Sequence, residues 1–445
     1  MRNALVIFSL LLLVACNEGQ DTAGPDTGAA NDTGVDAPAA ASTADGAADN
    51  APDSGADKAP ADAAADREPA ETAPREARDY EPAFENQTRA PQPADSESWT
   101  TETIAEGLEH PWGIEFLPDG SMLVTEKPGR LRVVTASGEI SGPVAGVPEV
   151  DSRGQGGLLD VAVAPDFASS RVIFLSFSEP HEDGTNNTAV ARARLSEDAS
   201  ALEDVGVIFS QYPNVESTGH YGSRIVFQDG DTIWVTMGDR QGDPVRKNAQ
   251  DATNLIGTVA RIHVDGSVPE DNPFAGHDQN ASEIWSYGHR NIQAADVHPE
   301  TGALWTIEHG PRGGDELNQP EAGKNYGWPT ISYGIEYRGG AVYEGKTGQE
   351  GMEQPVYYWD PVIAPSGMTF YTGEAFPAWQ GDLFVGGLRT QRVSRLVLED
   401  GRVIAEEWLE IGHRVRDVIQ GPDDLLYLVT DAPDGRVMRI VPDPG

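Results

Sequence analysis

One hairpin pattern recurs six times along the chain, and this repeat restricts the possible folds more than any other feature. Each copy consists of an apolar strand, a turn with Asp, Gly or Pro, and a second apolar strand whose residues alternate in polarity. The copies occupy residues 113–125, 158–177, 224–236, 294–307, 367–385 and 416–430. Chance likeness between hairpins is the competing interpretation, but a sandwich does not need one hairpin six times. We therefore predict an all-β fold over residues 99–445: a six-bladed β-propeller of four-stranded antiparallel blades.

The N-terminus has the features of a targeting segment. An apolar run over residues 4–14 is too short for a stable membrane span and is typical of a signal-peptide core. Ala15 precedes Cys16, the only cysteine in the chain, and this pair resembles a bacterial lipoprotein processing site. We expect residues 1–16 to be a lipoprotein signal peptide that leaves Cys16 lipidated, and Asn17 favours the outer membrane of the cell envelope. An ordinary signal peptide with an incidental cysteine is the alternative.

Residues 17–98 are rich in Ala, Asp and Pro, with 19 acidic and 5 basic residues. Such a segment buries too little apolar surface to offset its ordering entropy, so we predict a disordered acidic tether. Residues 99–445 carry the remaining 53 acidic residues against 25 basic ones, which excludes nucleic acid as an expected partner. We expect contact with the membrane only through the lipid anchor.

Several polar clusters lie next to the repeated strands. His220 stands in a Gly-rich stretch before a strand, where a loop presents an imidazole that can accept a proton near neutral pH. A lone histidine is more often a surface or turn residue. Arg290 offers a planar fork to carboxylate or carbonyl oxygens, and the adjacent Asn291 is both donor and acceptor. These two residues are equally compatible with a structural ion pair and a capped turn.

Two further clusters point to charged ligands. Residues 308–318 combine Gly and Pro with several carboxylates, which suits a hard cation, although they do not match an EF-hand loop. Arg414 and Arg416 alternate along a strand and therefore face the same side. Adjacent cations are unfavourable unless an anionic group lies between them, and this indicates a ligand with several carboxylates.

Taken in order, these motifs resemble one known family. His-x-Gly-x-Arg-Ile, Gly-Asp, Gly-His-Arg-Asn-x-Gln, Glu-x-Gly-Pro-x-x-x-Asp-Glu, Gly-x-Asn-Tyr-Gly-Trp-Pro and Arg-x-Arg-Asp-Val-Ile occur here in sequence. The set resembles the soluble aldose sugar and glucose dehydrogenases that use pyrroloquinoline quinone (PQQ), over about residues 103–442. The resemblance implies oxidation of an aldose at C1 to the lactone, with PQQ and Ca²⁺ as cofactors.

The resemblance also implies roles for individual residues. His220 would be the catalytic base that takes the proton of the anomeric hydroxyl while C1 passes a hydride to the quinone. Arg290, assigned to catalysis as well, and Asn291 would lie beside the quinone carbonyls. The other implied PQQ contacts are Gln155, Arg389, Arg414 and Arg416. The carbonyls of Gly310 and Pro311 would bind a catalytic Ca²⁺, and Glu316 with the Tyr326 carbonyl a second, structural one.

Departures from the glucose dehydrogenase branch lead to further expectations. Gly219 stands where that branch has an Asp before the base, and Asp160 stands where it has a Gly. We hypothesise that Asp160 orients His220 instead. Arg389 replaces a Lys, which keeps the charge but not its shape. Because long insertions near the site are missing, we expect an open site that accepts several aldoses. We also expect the protein to pass electrons to a soluble or membrane acceptor.

Other functions compete with this interpretation. A six-bladed calcium-dependent lactonase would use a side-chain metal cage and an activated water, and it would not need paired arginines. A propeller that only binds sugars or a partner would keep the scaffold without the cofactor. A non-sugar alcohol as substrate is a third alternative.

Overall fold

Short strands separated by tight turns account for almost all regular structure in residues 67–445, the part of the chain that the computed structural model describes. Each strand alternates side chains between its two faces, so both faces of every sheet can pack against a neighbouring sheet. Within these residues, α-helix is limited to α1 (Phe167–Ser170), and 3₁₀-helices occur at Val245–Gln250 and Pro377–Trp379. No helix among them is long and apolar enough to cross a membrane.

The strands form six antiparallel sheets, one for each predicted blade. Blade 1 contains β2 (Pro111–Phe116), β3 (Met122–Glu126) and β4 (Arg130–Val134); blade 2 contains β5 (Leu158–Val163), β6 (Val172–Pro180), β7 (Asn186–Leu195) and β8 (Leu202–Ser210). Blade 3 contains β9 (Gly222–Phe227), β10 (Thr232–Met237), β11 (Thr258–His263) and β12 (Ile284–Tyr287). Blade 1 has three strands, and a single bridge between Val134 and Ile140 continues its outer edge.

The second half of the ring follows the same plan. Blade 4 contains β13 (Ile292–Val297), β14 (Leu304–Glu308), β15 (Asp315–Asn318) and β16 (Tyr357–Trp359); blade 5 contains β17 (Pro365–Phe370), β18 (Leu383–Gly387), β19 (Arg392–Glu399) and β20 (Arg402–Glu410). Blade 6 contains β21 (Val415–Gln420), β22 (Leu426–Thr430) and β23 (Gly435–Pro442), and its outermost strand is β1 (Trp99–Leu108). The predicted six-bladed propeller is confirmed.

The ring closes because the first strand completes the last blade. β1 pairs antiparallel with β23, with Trp99 opposite Pro442 and Leu108 opposite Gly435. The innermost strands of successive blades, from β2 round to β21 and back, are neighbours. A separate cluster of buried apolar residues fills each of the six interfaces between blades. Burial is thus distributed around the ring and leaves polar residues free to line its axis.

The predicted tether is corrected in its described part. Residues 67–98, which we call the strap, run along the outer edges of blades 4 and 5. The amide of Tyr358 donates to the Gln87 carbonyl at 2.8 Å, and the amide of Glu406 donates to the Pro91 carbonyl at 3.0 Å. Ala90 is fully buried. The composition of residues 17–98 predicted disorder because the segment is poor in apolar residues. The strap is ordered because it forms backbone hydrogen bonds with the outer strands of blades 4 and 5, and composition does not indicate such partners. The rest of the tether and the signal peptide, residues 1–66, lie outside the described residues.

Candidate active site

All six blades contribute to one polar cavity of about 360 Å³ on the axis of the ring. Loops that precede innermost strands and the first residues of those strands supply most of its wall. The wall residues are His110, Trp112, Lys127, Gly154, Gln155, Leu159, Tyr221, Gly222, Asn291, Gln293, His309, Ala364, Leu388, Arg414, Arg416 and Asp431. Its volume falls in the range of small-molecule sites, which is ~300–1,000 Å³. The predicted residues Gln155, Asn291, Arg414 and Arg416 are therefore brought together.

His220 lies against this wall, in the loop before β9, and is 6% exposed. Its backbone amide donates to Gln155 Oε1 at 2.8 Å, and the next two residues, Tyr221 and Gly222, form part of the wall. Its φ of 49° is in the left-handed region, which few residues other than glycine adopt. Burial lowers the pKa of His220, although the nearby Asp239 opposes this shift. The imidazole is therefore neutral at physiological pH.

The carboxylate that orients His220 is that of Asp239, which lies two residues after the end of β10. Asp239 Oδ1 lies 2.6 Å from His220 Nδ1, and Oδ2 accepts a hydrogen bond of 2.7 Å from Trp328 Nε1. Burial disfavours its charged form, but His220 and Arg290 outweigh burial and lower the pKa of Asp239. An ionised carboxylate only accepts hydrogen bonds, so Nδ1 carries the proton and Nε2 keeps a lone pair. No described residue hydrogen-bonds to Nε2, which is free to act as a base.

The hypothesis that Asp160 orients His220 is wrong. Asp160, on β5, binds Arg224 Nη1 at 2.9 Å and the amide of Ile225 at 2.8 Å, and Arg224 also binds Asp417 at 2.8 Å. Asp160 lines a different cavity, together with Arg224 and Asp417. Burial raises the pKa of Asp160 to about 6, against the pull of Arg224. Asp160 belongs to β5, and this strand presents its carboxylate to Arg224 and not to His220.

Arg414 and Arg416 face the same side, as predicted, and share one partner. Each places Nη2 3.0 Å from Oδ2 of Asp431, and His110 Nδ1 lies 2.9 Å from the other oxygen. The anionic group between the two cations is thus a protein carboxylate. Burial disfavours the charge of Asp431, but Arg416 outweighs it and lowers the pKa of Asp431. Two cations and one carboxylate leave one positive charge facing the cavity.

Amide side chains also line the wall. Asn291 Oδ1 accepts from the amide of Gly222 at 3.1 Å, and Gln293 Oε1 accepts from Arg416 Nη1 at 3.0 Å. No described residue accepts a hydrogen bond from the Nδ2 group of Asn291, so this donor is available to a ligand oxygen. Arg290 is not in the wall; its Nη1 donates to the His309 carbonyl at 2.7 Å. Arg389 is exposed, donates to the Val362 carbonyl at 3.1 Å, and is likewise not in the wall.

The predicted calcium loop is a tight turn between β14 and β15. The amide of Gly310 donates to Asp315 Oδ1 at 2.8 Å and closes the turn. Gly310 and Pro311 are buried, and no described residue donates to either carbonyl oxygen. Among residues 67–445, no group of three or more His, Cys, Asp or Glu side chains is arranged to hold a metal. A cation at this turn would therefore depend on carbonyl oxygens and on ligands from outside the protein.

Glu316 and Tyr326, predicted to hold a second calcium, both lie near Glu308. Glu316 is directly opposite Glu308 in the β14–β15 ladder. Burial and the charge of Glu308 raise the pKa of Glu316. Tyr326 stacks on His289, whose Nδ1 lies 2.9 Å from Glu308 Oε1. Two facing carboxylates beside a buried ring are compatible with a cation, but the structure gives no ligand set for one.

Sequence reasoning missed Asp239, Trp328, Asp431, His110 and Lys127. Asp239 had a signal, since it is the acid of the Gly-Asp motif at the end of β10. Asp431 follows the last repeated hairpin as Asp239 follows the third, so both carboxylates stand just after a second strand. His110 and Lys127 belong to loops whose sequences resemble ordinary turns, and only the closed ring brings them to the cavity.

Comparison with known proteins agrees with this arrangement. A family model described as Glucose / Sorbosone dehydrogenase matches residues 108–439. The chain is 44% identical over 350 residues to an aldose sugar dehydrogenase of Escherichia coli K12, covering 77% of this chain and 92% of that protein.

Solved structures give the same result. The crystal structure of the soluble aldose sugar dehydrogenase from Escherichia coli has 43% identity and a TM-score of 0.75, covering 78% of this chain and 100% of that chain. The PQQ-bound aldose sugar dehydrogenase from Streptomyces coelicolor has 27% identity and a TM-score of 0.64, covering 78% of this chain and 99% of that chain. Because the matched segment includes strands of all six blades and every residue of the cavity wall, the chain belongs to the glucose/sorbosone dehydrogenase family.

Proposed function

We propose that this protein oxidises aldose sugars at C1 to lactones, with PQQ and Ca²⁺ as cofactors. The observation that carries the proposal is the pairing of His220 with Asp239, 2.6 Å apart, against a cavity whose wall contains Arg414 and Arg416. A neutral base and a cationic wall suit removal of a hydroxyl proton beside an anionic cofactor. The family relationship supports the same class of reaction.

The donors in the cavity fit PQQ, a planar quinone with three carboxylates. Arg414 and Arg416 would bind carboxylates, since guanidinium groups match their geometry. The unused Nδ2 donor of Asn291 would bind a quinone oxygen. When bound, PQQ supplies the two-electron acceptor for the hydride that leaves C1. Arg290 and Arg389 already donate to the His309 and Val362 carbonyls, which leaves fewer of their N–H groups for a ligand.

The 310–315 turn fits a calcium ion. Hard cations prefer oxygen ligands, and the carbonyls of Gly310 and Pro311 are buried without donors among the described residues. Calcium at this position would act as a Lewis acid beside the cavity. No cage of side-chain ligands accompanies it in residues 67–445, and this observation argues against the calcium-dependent lactonase, which would require one.

His220 performs the proton transfer in this proposal. Its Nε2 accepts the proton of the anomeric hydroxyl as the C1–H bond breaks, and the C1–O bond becomes the lactone carbonyl. Asp239 keeps the required tautomer and stabilises the imidazolium that forms. Burial of both groups excludes water, which strengthens their interaction.

Reconstitution tests the function directly. We expect the full chain to oxidise several aldoses with an artificial dye as acceptor only when both PQQ and Ca²⁺ are added. The measurement compares apo-protein, Ca²⁺ alone, PQQ alone and both, each with a panel of aldoses and a non-sugar alcohol. Lactone hydrolysis with Ca²⁺ alone would instead support the lactonase. PQQ binding without any turnover would leave a propeller that only binds ligands.

We also propose that Cys16 carries a lipid that anchors the protein in the bacterial cell envelope. The support is the short apolar run and the Ala15–Cys16 pair, both outside the described residues. The full chain expressed with a labelled fatty acid should incorporate the label and partition into detergent, and Cys16→Ser should do neither. Label retained in Cys16→Ser would refute the anchor.

A further inference from the structure

The strap makes its most concentrated polar contacts at one buried carboxylate. The amides of Glu76 and Ala77 donate to the two oxygens of Asp360 at 2.7 and 2.9 Å. Arg89 Nη2 donates to the Asp360 carbonyl at 2.7 Å and to the Ala73 carbonyl at 2.6 Å. Asp360 is 2% exposed, so the strap supplies the donors that this buried charge needs.

Asp360 in turn lies against the 310–315 turn. A Cβ atom on Gly313, whose φ is +81°, would be 2.9 Å from Asp360 Oδ1. The amide of Gly314 donates to the carbonyl of Trp359, the residue before Asp360, at 2.8 Å. Arg312 pairs directly with the strap through Glu76. Every residue from 312 to 314 is thus in contact with the strap or with the segment that the strap holds.

We propose that the strap is a positioning element for the 310–315 turn, and that it keeps the carbonyls of Gly310 and Pro311 ready for calcium. The calcium part rests on the proposed function; the positioning part does not. The strap lies outside the matched segment 108–439, so this element precedes the segment that identifies the family. Preorganised ligands bind a cation more tightly because less ordering remains to be done on binding. Residues before the propeller therefore set the calcium affinity of a site inside it.

The test compares two strap arginines in the full chain. Arg89→Ala removes the hydrogen bond to the Asp360 carbonyl and the bonds from Arg89 to the Glu71 and Ala73 carbonyls. Among the described residues, Arg67→Ala removes only a bond within the strap, from Arg67 Nε to the Gln92 carbonyl. Amide hydrogen exchange of residues 312–315 is measured by mass spectrometry without calcium. Calcium binding to the apo-protein is then measured by titration calorimetry. We expect at least ~10-fold faster exchange of the turn and at least ~5-fold weaker calcium binding in Arg89→Ala, and no change in Arg67→Ala.

Asp360→Ala serves as a second variant, and it should give the same two changes. Unchanged exchange at 312–315 in both Arg89→Ala and Asp360→Ala would overturn the proposal, whatever the calcium result. If the turn exchanges faster but the unaltered chain binds no calcium, positioning stands and the proposed calcium site fails. If exchange rises equally in Arg67→Ala, the strap stabilises the domain as a whole, and the specific link to the turn is refuted.

Discussion

Replacement of His220 by Gln should lower the turnover of the reconstituted protein by on the order of 10²- to 10⁴-fold, the usual contribution of a general base. The physical reason is that His220 is a buried imidazole whose Nδ1 is held by the buried carboxylate of Asp239, whereas His110 is more exposed and its partner Asp431 also pairs with two arginines. Affinity for PQQ should stay close to that of the unaltered protein, because Arg414, Arg416 and Asn291, the proposed PQQ contacts in the wall, are unchanged. Dye-linked kinetics and a PQQ titration of the apo-protein measure the two quantities. Normal turnover in His220→Gln would place the base elsewhere.

The same residue sets the expected pH dependence. Burial lowers the pKa of His220 below its ordinary value of 6.5, so its basic form persists into mildly acidic solution. As pH falls through the lowered pKa, the base becomes protonated and kcat/KM should decline; at higher pH it should be constant. This acid limb should disappear from the residual activity of His220→Gln. An unaltered limb in that variant would assign it to another group.

Replacement of Asp239 by Asn should cause a loss of similar size, about 10²- to 10⁴-fold. Asn can donate to Nδ1 and so favour the wrong tautomer of His220, and it no longer stabilises the imidazolium. Because Asp239 raises the pKa of His220, its removal should also move the acid limb of kcat/KM to lower pH. A loss of turnover without this movement would indicate a purely structural role for Asp239.

Asp160→Asn is the matched control, since it makes the same change in another buried carboxylate. Asp160 binds Arg224 and not His220, so turnover should stay close to that of the unaltered protein. The free energy of unfolding should fall by about 1–3 kcal/mol, because the single oxygen of Asn cannot accept both hydrogen bonds that Asp160 takes from Arg224 and the Ile225 amide. Denaturant unfolding measures this. If Asp160→Asn lost turnover while Asp239→Asn did not, the original hypothesis about Asp160 would be restored.

The fold could be predicted from the sequence because one hairpin pattern recurs six times. The segment 113–125 alternates apolar and polar residues around Pro-Asp-Gly, and both signals act over a few residues. Six such units are enough to specify a ring of blades. The order of the polar motifs was also sufficient to indicate the family and to select His220 as the proposed base, because each motif lies next to a strand end that faces the axis.

Only the tertiary structure decided which groups meet. β1 pairs with β23 across more than three hundred residues, and no local pattern marks it as the strand that closes the ring. Asp239 and not Asp160 reaches His220, because β9 and β10 of blade 3 pair antiparallel and set the loop before β9 beside the residues that follow β10. Asp431 reaches Arg414 and Arg416 in the same way, through the pairing of β21 with β22. The strap binds to the edges of blades 4 and 5 because their backbone donors need partners, a requirement that exists only once those blades have formed.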